Sequence, residues 1–421
     1  MNKAIAGYEL YLFFSYLPRF SKANLSWLNC DFDNDFGRGI DNETWWVKEG
    51  VRSLKKTFAD EVACTDPNAD HIVLLSGGMD SRAILGGLLD NLPKSRIIAA
   101  TYGIPGSWDW EIAKAIAKKN GIHHELFDIS NDRWNVDQLV AAAVRLKHPV
   151  SVHQSYVRQK VNNHFGINCV YWSGLAGDSL AGSDLPKIPS RNKREAIRRH
   201  INLYPTHNYK DTEFQEEVID WMFAGCPWDR LARGKYLVDQ QLDLGIRQNL
   251  LTRPIVIVEG YKFMTPFLTR CWTHYISNAP YKWLFGLYLY RRVIQDSYPR
   301  LSKFPSTATA GMSLFASKGS ILVGKAIAKI KPYLMRSDVY RSHPRTNYIN
   351  WTEALRHKTS LHNMVYETLQ DLKKRGIFDN KELDSWWQDH LTRKMDYTTL
   401  LMNLSSLELL FKAGVMSPSE G

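Results

Sequence analysis

The run His71–Leu75 is apolar, short and continuous, and it leads into Gly77 and Gly78 before helical spacing begins at Arg82. Five residues are too few for an ordinary buried helix but suit a strand covered on both faces. Strand, glycine turn and helix in that order form the first half of a βαβ unit, whose strands must share a parallel sheet. The unit repeats at once. Arg96–Tyr102 reads as a strand, Asp109–Asn120 as a helix closed by Gly121, and His123–Asp128 as a third strand. A fourth run, Asn168–Trp172, leads into a second glycine turn. The pattern predicts an α/β fold with a doubly wound parallel sheet. Both glycine turns then lie at carboxyl ends of neighbouring strands, where open sheets bind ligands.

The remaining organisation is coarser. Residues 1–55 are aromatic-rich and read as a docking segment, although Asn42–Ala63 has helical spacing; residues 56–315 form the nucleotide domain and 316–421 a helical region. Beyond about residue 190 the patterns are helical: Thr212–Phe223, Gly234–Gln248, Leu268–Ser277, Leu284–Asp296, Ser320–Lys331, Trp351–Lys374 and Lys381–Gly414. This half is expected to pack over the ligand edge. No apolar run reaches the roughly 18 residues of a membrane span, and no signal peptide is read at the amino terminus. Cys30, Cys64, Cys169, Cys226 and Cys271 are scattered and odd in number, which suits reduced thiols in a cytoplasmic protein. The net charge of +11 favours anionic partners without choosing among them.

Ser76-Gly77-Gly78-Met79-Asp80-Ser81 carries the strongest chemistry. The glycines let successive amides converge on an anion, the helix start adds its positive dipole end, and both serines can donate to phosphate oxygens. Asp80 would repel phosphate unless magnesium lay between them. The lack of GK[ST] excludes a Walker loop, and the lack of GxGxxG argues against a dinucleotide fold.

This stretch resembles the SGGxDS pyrophosphate loop of the N-type ATP pyrophosphatases, the PP-loop superfamily, which attack ATP at the α-phosphate. Thr101-Tyr102-Gly103-Ile104-Pro105-Gly106-Ser107-Trp108-Asp109 and Gly121-Ile122-His123-His124-Glu125 resemble paired blocks of the asparagine synthetase synthetase domain. Ser173-Gly174-Leu175-Ala176-Gly177-Asp178 resembles that family's "SGEGxD" loop, and Arg247-Gln248, Gly260 and Thr265-Pro266-Phe267-Leu268 resemble its "R…G-x-E-x-R-x-P-F-L-D" block. The likeness implies an adenine nucleotide α-hydrolase fold that binds ATP and Mg2+. ATP would meet Leu74, Ser76, Gly77, Gly78, Asp80, Ser81, Tyr102, Gly103, Ser173, Gly174 and Asp178, and Asp80 and Asp178 would hold the metal. The family's late catalytic lysine has Lys303 as its nearest equivalent, with Lys262 and Lys318 as rivals.

The departures fall on the acceptor side: Leu175 and Lys262 replace glutamates, Met264 an arginine and Thr269 an aspartate of the family motifs. No amino-terminal cysteine stands where a glutaminase domain would supply one. The resemblance therefore implies an AMP-forming amide ligase that adenylates a small-molecule or carrier-linked carboxylate and passes it to an amine or ammonia, the latter free or from a partner glutaminase. A sugar uronate of surface-polysaccharide synthesis is the preferred acid. The alternatives are a lasso or β-lactam cyclase, a tRNA-modifying PP-loop enzyme and a non-catalytic ATP-binding subunit. Nucleic acid is disfavoured as a partner. His123-His124 is read as structural rather than metal-binding, and the basic stretch Lys187–Arg199 as a solvated face rather than an anion channel. Ile321–Lys331 has the spacing of an amphipathic helix, read as ordinary surface, with peripheral contact to an anionic membrane as the alternative.

Overall fold

A computed structural model describes residues 6–20, 36–130, 132–203, 212–228, 236–334, 350–357 and 359–418. Cys30 and part of the predicted turn at Asp31–Asp41 lie outside them. Helix α1 (Gly7–Phe14) is followed by α2 (Glu43–Ala63), whose Asn42 side chain accepts from the amide of Trp45 as an N-cap. Strand β1 (His71–Leu74) leads into α3 (Met79–Asn91), β2 (Ile97–Gly103) into α4 (Trp108–Asn120), and α4 into β3 (His123–Asp128). Two helices, α5 (Val136–Leu146) and α6 (Val152–Phe165), then cross back to β4 (Val170–Trp172), and β5 is Lys262–Met264.

All five strands are parallel, in the order β3-β2-β1-β4-β5. The chain builds outward from β1 to β3 and then returns to β1's other side, so the order reverses between β1 and β4. That reversal opens a crevice at their carboxyl ends. The sheet is the predicted doubly wound one, with β5 added at an edge where sequence reading drew no strand.

Strand pleating decides what each face buries. Val73, Ala99 and Trp172 join the core formed with α2, α3, α4 and the helices Arg270–Asn278 and Tyr288–Ser297, whereas Ile72, Ala100 and Tyr171 pack with Val161 of α6. The helix Thr398–Lys412 rests on α5 and α6 on that second face, and Ser360–Lys374 packs against it in turn. They do not cover the ligand edge, as the sequence suggested the second half would. Only the helix running through Val238–Leu242, Asp243–Thr252 and Arg253–Val256 does so, and its middle ten residues are π-helical.

Two boundaries drawn from sequence need adjustment. The break between 55 and 56 falls inside α2, because Trp46, Leu54 and Phe58 belong to one continuous buried face. Helix α1 is internal too: Tyr11 and Leu12 join the core of the carboxyl-terminal helices, while Leu10, Phe13 and Phe14 pack with Ile197, Ile201 and Val218. Trp351–Lys374 divides into Trp351–Arg356 and Ser360–Lys374, and Lys381–Gly414 into Asn380–Leu391 and Thr398–Lys412.

Helix α3 approaches α2 closely at Gly87, where an added Cβ would lie 2.1 Å from the Phe58 ring. In an open helix Gly→Ala stabilises by about 1 kcal/mol. At this contact the sign reverses. Gly87→Ala is expected to destabilise the fold by about 1–3 kcal/mol through overpacking, read as a lower urea midpoint at unchanged slope; a raised midpoint would show that α2 and α3 are not packed this way.

Candidate active site

The turn after β1 is held by its own side chains. The amide of Ser76 donates to Ser81 Oγ (3.2 Å) and that of Gly78 to Ser76 Oγ (3.1 Å). The amide of Gly77 donates to Asp109 Oδ1 (2.8 Å), a carboxylate from the first turn of α4. An anionic oxygen therefore sits at the apex of the turn. Burial pushes the Asp109 carboxyl up to about 6, against the opposing pull of the Gly77 amide. Helix α3 starts at Met79, so Asp80 and Ser81 stand in its first turn, where the dipole favours negative charge.

From behind, the Gly77 carbonyl accepts from Ser306 Oγ (2.9 Å) and from the amide of Thr307 (3.1 Å). Arg82 is fully buried beside it, donating to the carbonyls of Leu301 (3.2 Å), Phe304 (3.1 Å) and Pro305 (2.6 Å). Burial draws the guanidinium down to about 10, so it stays charged at neutral pH.

The second loop meets the first through Asp80. A Cβ on Gly174 would come within 2.7 Å of Asp80 Cβ, and one on Gly177 within 2.8 Å of Asp80 Oδ1, so both glycines are needed for this approach. Tyr290 donates its hydroxyl to Asp80 Oδ1 (2.6 Å). Burial, and then the charge of Asp178, raise the Asp80 carboxyl well above its ordinary range; Asp178 is raised by burial and then by Asp184. Two carboxylates facing one crevice, Asp80 half-buried and Asp178 open to it, form half of a magnesium site, which commonly takes one or two carboxylates and completes its shell with phosphate and water oxygens. Among the described residues no cluster of three or more metal-ligating side chains occurs.

A cleft of about 460 Å3 joins these parts, lined by Leu74, Ser76, Asp80, Ser81, Ser173, Gly174 and Asp178 together with Arg158, Arg247 and Gln248. A side pocket of about 230 Å3 adds Tyr102 and Asp109. Gly77, Gly78 and Gly103 shape the backbone without forming these walls. Neither predicted lysine reaches the cleft. Lys262 opens β5 in register with Val170 at the start of β4, so it stands exposed near the amino ends of the strands, away from the loops. Lys303 caps the short helix Pro299–Ser302 in the segment that braces Gly77, with its side chain exposed. Met264 and Thr269 are also outside the walls: Met264 accepts from the amide of Ser173, and Thr269 is the N-cap of the helix Arg270–Asn278. Of the four acceptor-side departures, only Leu175 lines the cleft.

The positive charge comes from Arg158 of α6, which borders the cleft, the side pocket and a third cavity of about 350 Å3. Its guanidinium lies 5.0 Å from the Tyr102 ring centroid, and it makes no ion pair among the described residues. Arg247, by contrast, is paired with Asp243 (2.5 Å) and Asp184 (2.7 Å). Sequence patterning carries no signal for Arg158, because it draws no element over α5 or α6.

A further cavity of about 470 Å3 lies between α6 and the 249–259 segment and contains no residue of the two glycine loops. His124 Nε2 bonds Thr101 Oγ1 (2.9 Å) and His123 pairs with Glu125 (2.8 Å), so neither points to a metal site. The basic stretch is likewise ion-paired: Arg194 with Asp220, Arg198 with Glu216 and Arg199 with Asp239.

The family model for queuosine biosynthesis protein QueC, a PP-loop ATP pyrophosphatase family, matches residues 70–172. Residues 70–172 are thus similar to a PP-loop domain. The match supports the superfamily and ATP use, not asparagine synthetase in particular. It covers about a quarter of the chain, from the start of β1 to the end of β4, and stops one residue before Ser173. No curated protein matches the chain.

The second loop, beyond the matched residues, contains a backbone irregularity. Ala176 takes φ +63°, a left-handed conformation that costs a non-glycine residue about 1–2 kcal/mol. The asparagine synthetase motif has glycine at this position. Ala176→Gly should raise stability by about 1 kcal/mol, measured by urea unfolding; a loss of stability would mean the side chain does more than tolerate its conformation. The Asp80 and Asp178 carboxyls yield a second expectation. Because both are raised, taking a divalent cation requires ionisation, so magnesium-dependent nucleotide binding should release protons and weaken as pH falls. Calorimetry in buffers of different ionisation heat tests it. Buffer-independent heats, or undiminished affinity in Asp80→Asn and Asp178→Asn, would remove the pair from the metal site.

Proposed function

We propose that this chain is an AMP-forming ligase that uses ATP to activate the carboxylate of a small acid for replacement by nitrogen. The observation that carries the reading is the cleft itself, lined by two carboxylates suited to magnesium and by Arg158, a cation without an acidic partner among the described residues. ATP would lie over the Ser76–Ser81 turn, with Asp80 and Asp178 holding the metal and Ser76 and Ser81 meeting phosphate oxygens. Magnesium would supply charge neutralisation at the phosphates. Arg158 orients the acid: a planar fork stacked on Tyr102 suits a carboxylate or the α-phosphate oxygens. A carboxylate oxygen bonds to the α-phosphorus while its bond to the pyrophosphate oxygen breaks. The nitrogen lone pair then attacks the acyl carbon, AMP leaves with the former carboxylate oxygen, and nitrogen loses a proton.

The match to queuosine biosynthesis protein QueC favours a particular class of acid, a precursor of a modified tRNA nucleoside, over the sugar uronate suggested by motif resemblance. Amide formation itself rests on the blocks that resemble asparagine synthetase, some of which lie beyond the matched residues. Both readings share the first chemical step and differ in the acceptor.

Pyrophosphate exchange across a panel of heteroaromatic acids, uronates and amino acids separates them, with products analysed by chromatography. AMP and pyrophosphate are expected, and ADP with inorganic phosphate in the presence of the preferred acid would reject the mechanism. Arg158→Ala should raise the KM for that acid about tenfold or more, the worth of one charge-assisted hydrogen bond, with ATP affinity changed little. Unchanged kinetics would take Arg158 out of acid recognition.

A further inference from the structure

The helix Lys318–Leu334 turns an aliphatic ridge to solvent. Leu322 is 65%, Val323 57% and Ile327 53% exposed, and Phe315 just before the helix is 49% exposed. At 3.6 residues per turn Leu322, Val323, Ala326 and Ile327 fall within an arc of about 140°. The opposite side is the packed one. There Gly324 is buried so closely that a Cβ would lie 2.9 Å from the Ala310 carbonyl oxygen. The ridge therefore points away from the protein because the helix is anchored by its glycine.

Charge around the ridge has one sign. Between Asp296 and Asp338 the sequence contains no Asp or Glu, but it has Arg300, Lys303, Lys318, Lys325, Lys329, Lys331 and Arg336. Lys318 and Lys325 are exposed and form no ion pair among the described residues. No described helix is long and apolar enough to cross a membrane, so an arrangement of this kind lies in an interface rather than through it.

We propose that the helix Lys318–Leu334 docks this protein on an anionic membrane surface, with Leu322, Val323 and Ile327 in the acyl boundary and the flanking lysines at lipid phosphates. A polynucleotide would satisfy the lysines equally. It would leave the ridge uncovered, because Leu, Val and Ile offer no aromatic face for base stacking. The helix also sits on a segment joined to the nucleotide turn: Gly324 packs on Ala310, and Ser306 and Thr307 donate to the Gly77 carbonyl. Docking would thus bring the ATP cleft near the bilayer, where a carrier-linked acceptor would be presented. The proposal does not depend on the reaction assigned to that cleft.

The test is co-sedimentation of the full chain with phosphatidylcholine vesicles, with and without phosphatidylglycerol, and with tRNA as competitor. Binding is expected only to the anionic vesicles, weakening with salt. The double substitution Leu322→Glu and Ile327→Glu should weaken it by about a hundredfold, through lost burial and added repulsion. Ile167→Glu, a control at an exposed apolar residue elsewhere, should bind like wild type. ATP binding by each variant reports that it is folded. Equal binding by the double variant and the control would overturn the proposal. So would loss of a self-associated species in the double variant with no vesicle binding by wild type, or tRNA binding that depends on the lysines but not on Leu322 and Ile327.

Discussion

A single peptide carbonyl, that of Gly77, is where the nucleotide turn is fastened to the rest of the molecule. Glycine at this position lets the Thr307 segment close in, since an added Cβ would lie 2.8 Å from Thr307 Cγ2, and the carbonyl that faces this segment needs donors. Ser306, Thr307 and, at 3.5 Å, Arg82 provide them. Arg82 in turn gathers the carbonyls of Leu301, Phe304 and Pro305, so a segment more than 200 residues away in sequence becomes the back wall of the loop. A buried guanidinium without a carboxylate is costly, and its carbonyl partners offset that cost only while this segment stays in place. The arrangement is therefore cooperative. Lysine could not replace it, since one ammonium cannot span carbonyls held in a fixed fan.

On the front of the same turn the balance of charge is reversed. Asp109 and Asp80 are half-buried and Asp178 opens to the cleft, and all three carboxyls are raised chiefly by desolvation. Such a cluster is poorly suited to an anion by itself. It becomes suited when a divalent cation compensates two of the carboxylates and phosphate competes with the third for the Gly77 amide. Desolvation of these carboxylates would thus favour metal and anion binding together. Arg158 and Arg247 also line the cleft; among the described residues Arg158 has no ion pair, whereas Arg247 is held by Asp184 and Asp243.

What the sequence revealed follows from the range of the forces involved. The β1, β2 and β3 runs, the helices between them and both glycine turns are local patterns, and they appear within three residues of their expected limits. Asp80 and Asp178 were legible because each sits in a glycine turn at a strand end. Lys262 was misplaced because a motif position says nothing about which end of a strand it occupies. In this chain β5 is three residues long, and its first residue faces the start of β4. Arg158 was invisible for the opposite reason. It lies in a mostly polar helix whose sequence VHQSYVRQKVNNHF shows weak amphipathicity, and its importance comes only from the fold bringing α6 beside the crevice. Asp109 was quoted as part of a block, but its bond to Gly77 spans 32 residues and has no local signature.

The limits of the family match acquire meaning from this geometry. Residues 70–172 contain β1 to β4 and therefore the first loop, Asp109, Tyr102 and Arg158, which form the nucleotide side and the lone cation. The remaining walls come from outside the match: Leu175 and Asp178 from the second loop, Arg247, Gln248 and Thr252 from the helix across the edge. Those last three sit in a π-helical stretch, a backbone form of poor intrinsic stability that persists where packing demands it. Gln248 there donates to Ser179 Oγ (2.6 Å) and Arg247 reaches Asp184, so the π-turns are tied to the second loop on both sides. Any acid entering the cleft must fit between that tied wall and Arg158. Substrate choice is thus expected to depend on residues 173–256, while the preceding hundred residues set how ATP is held.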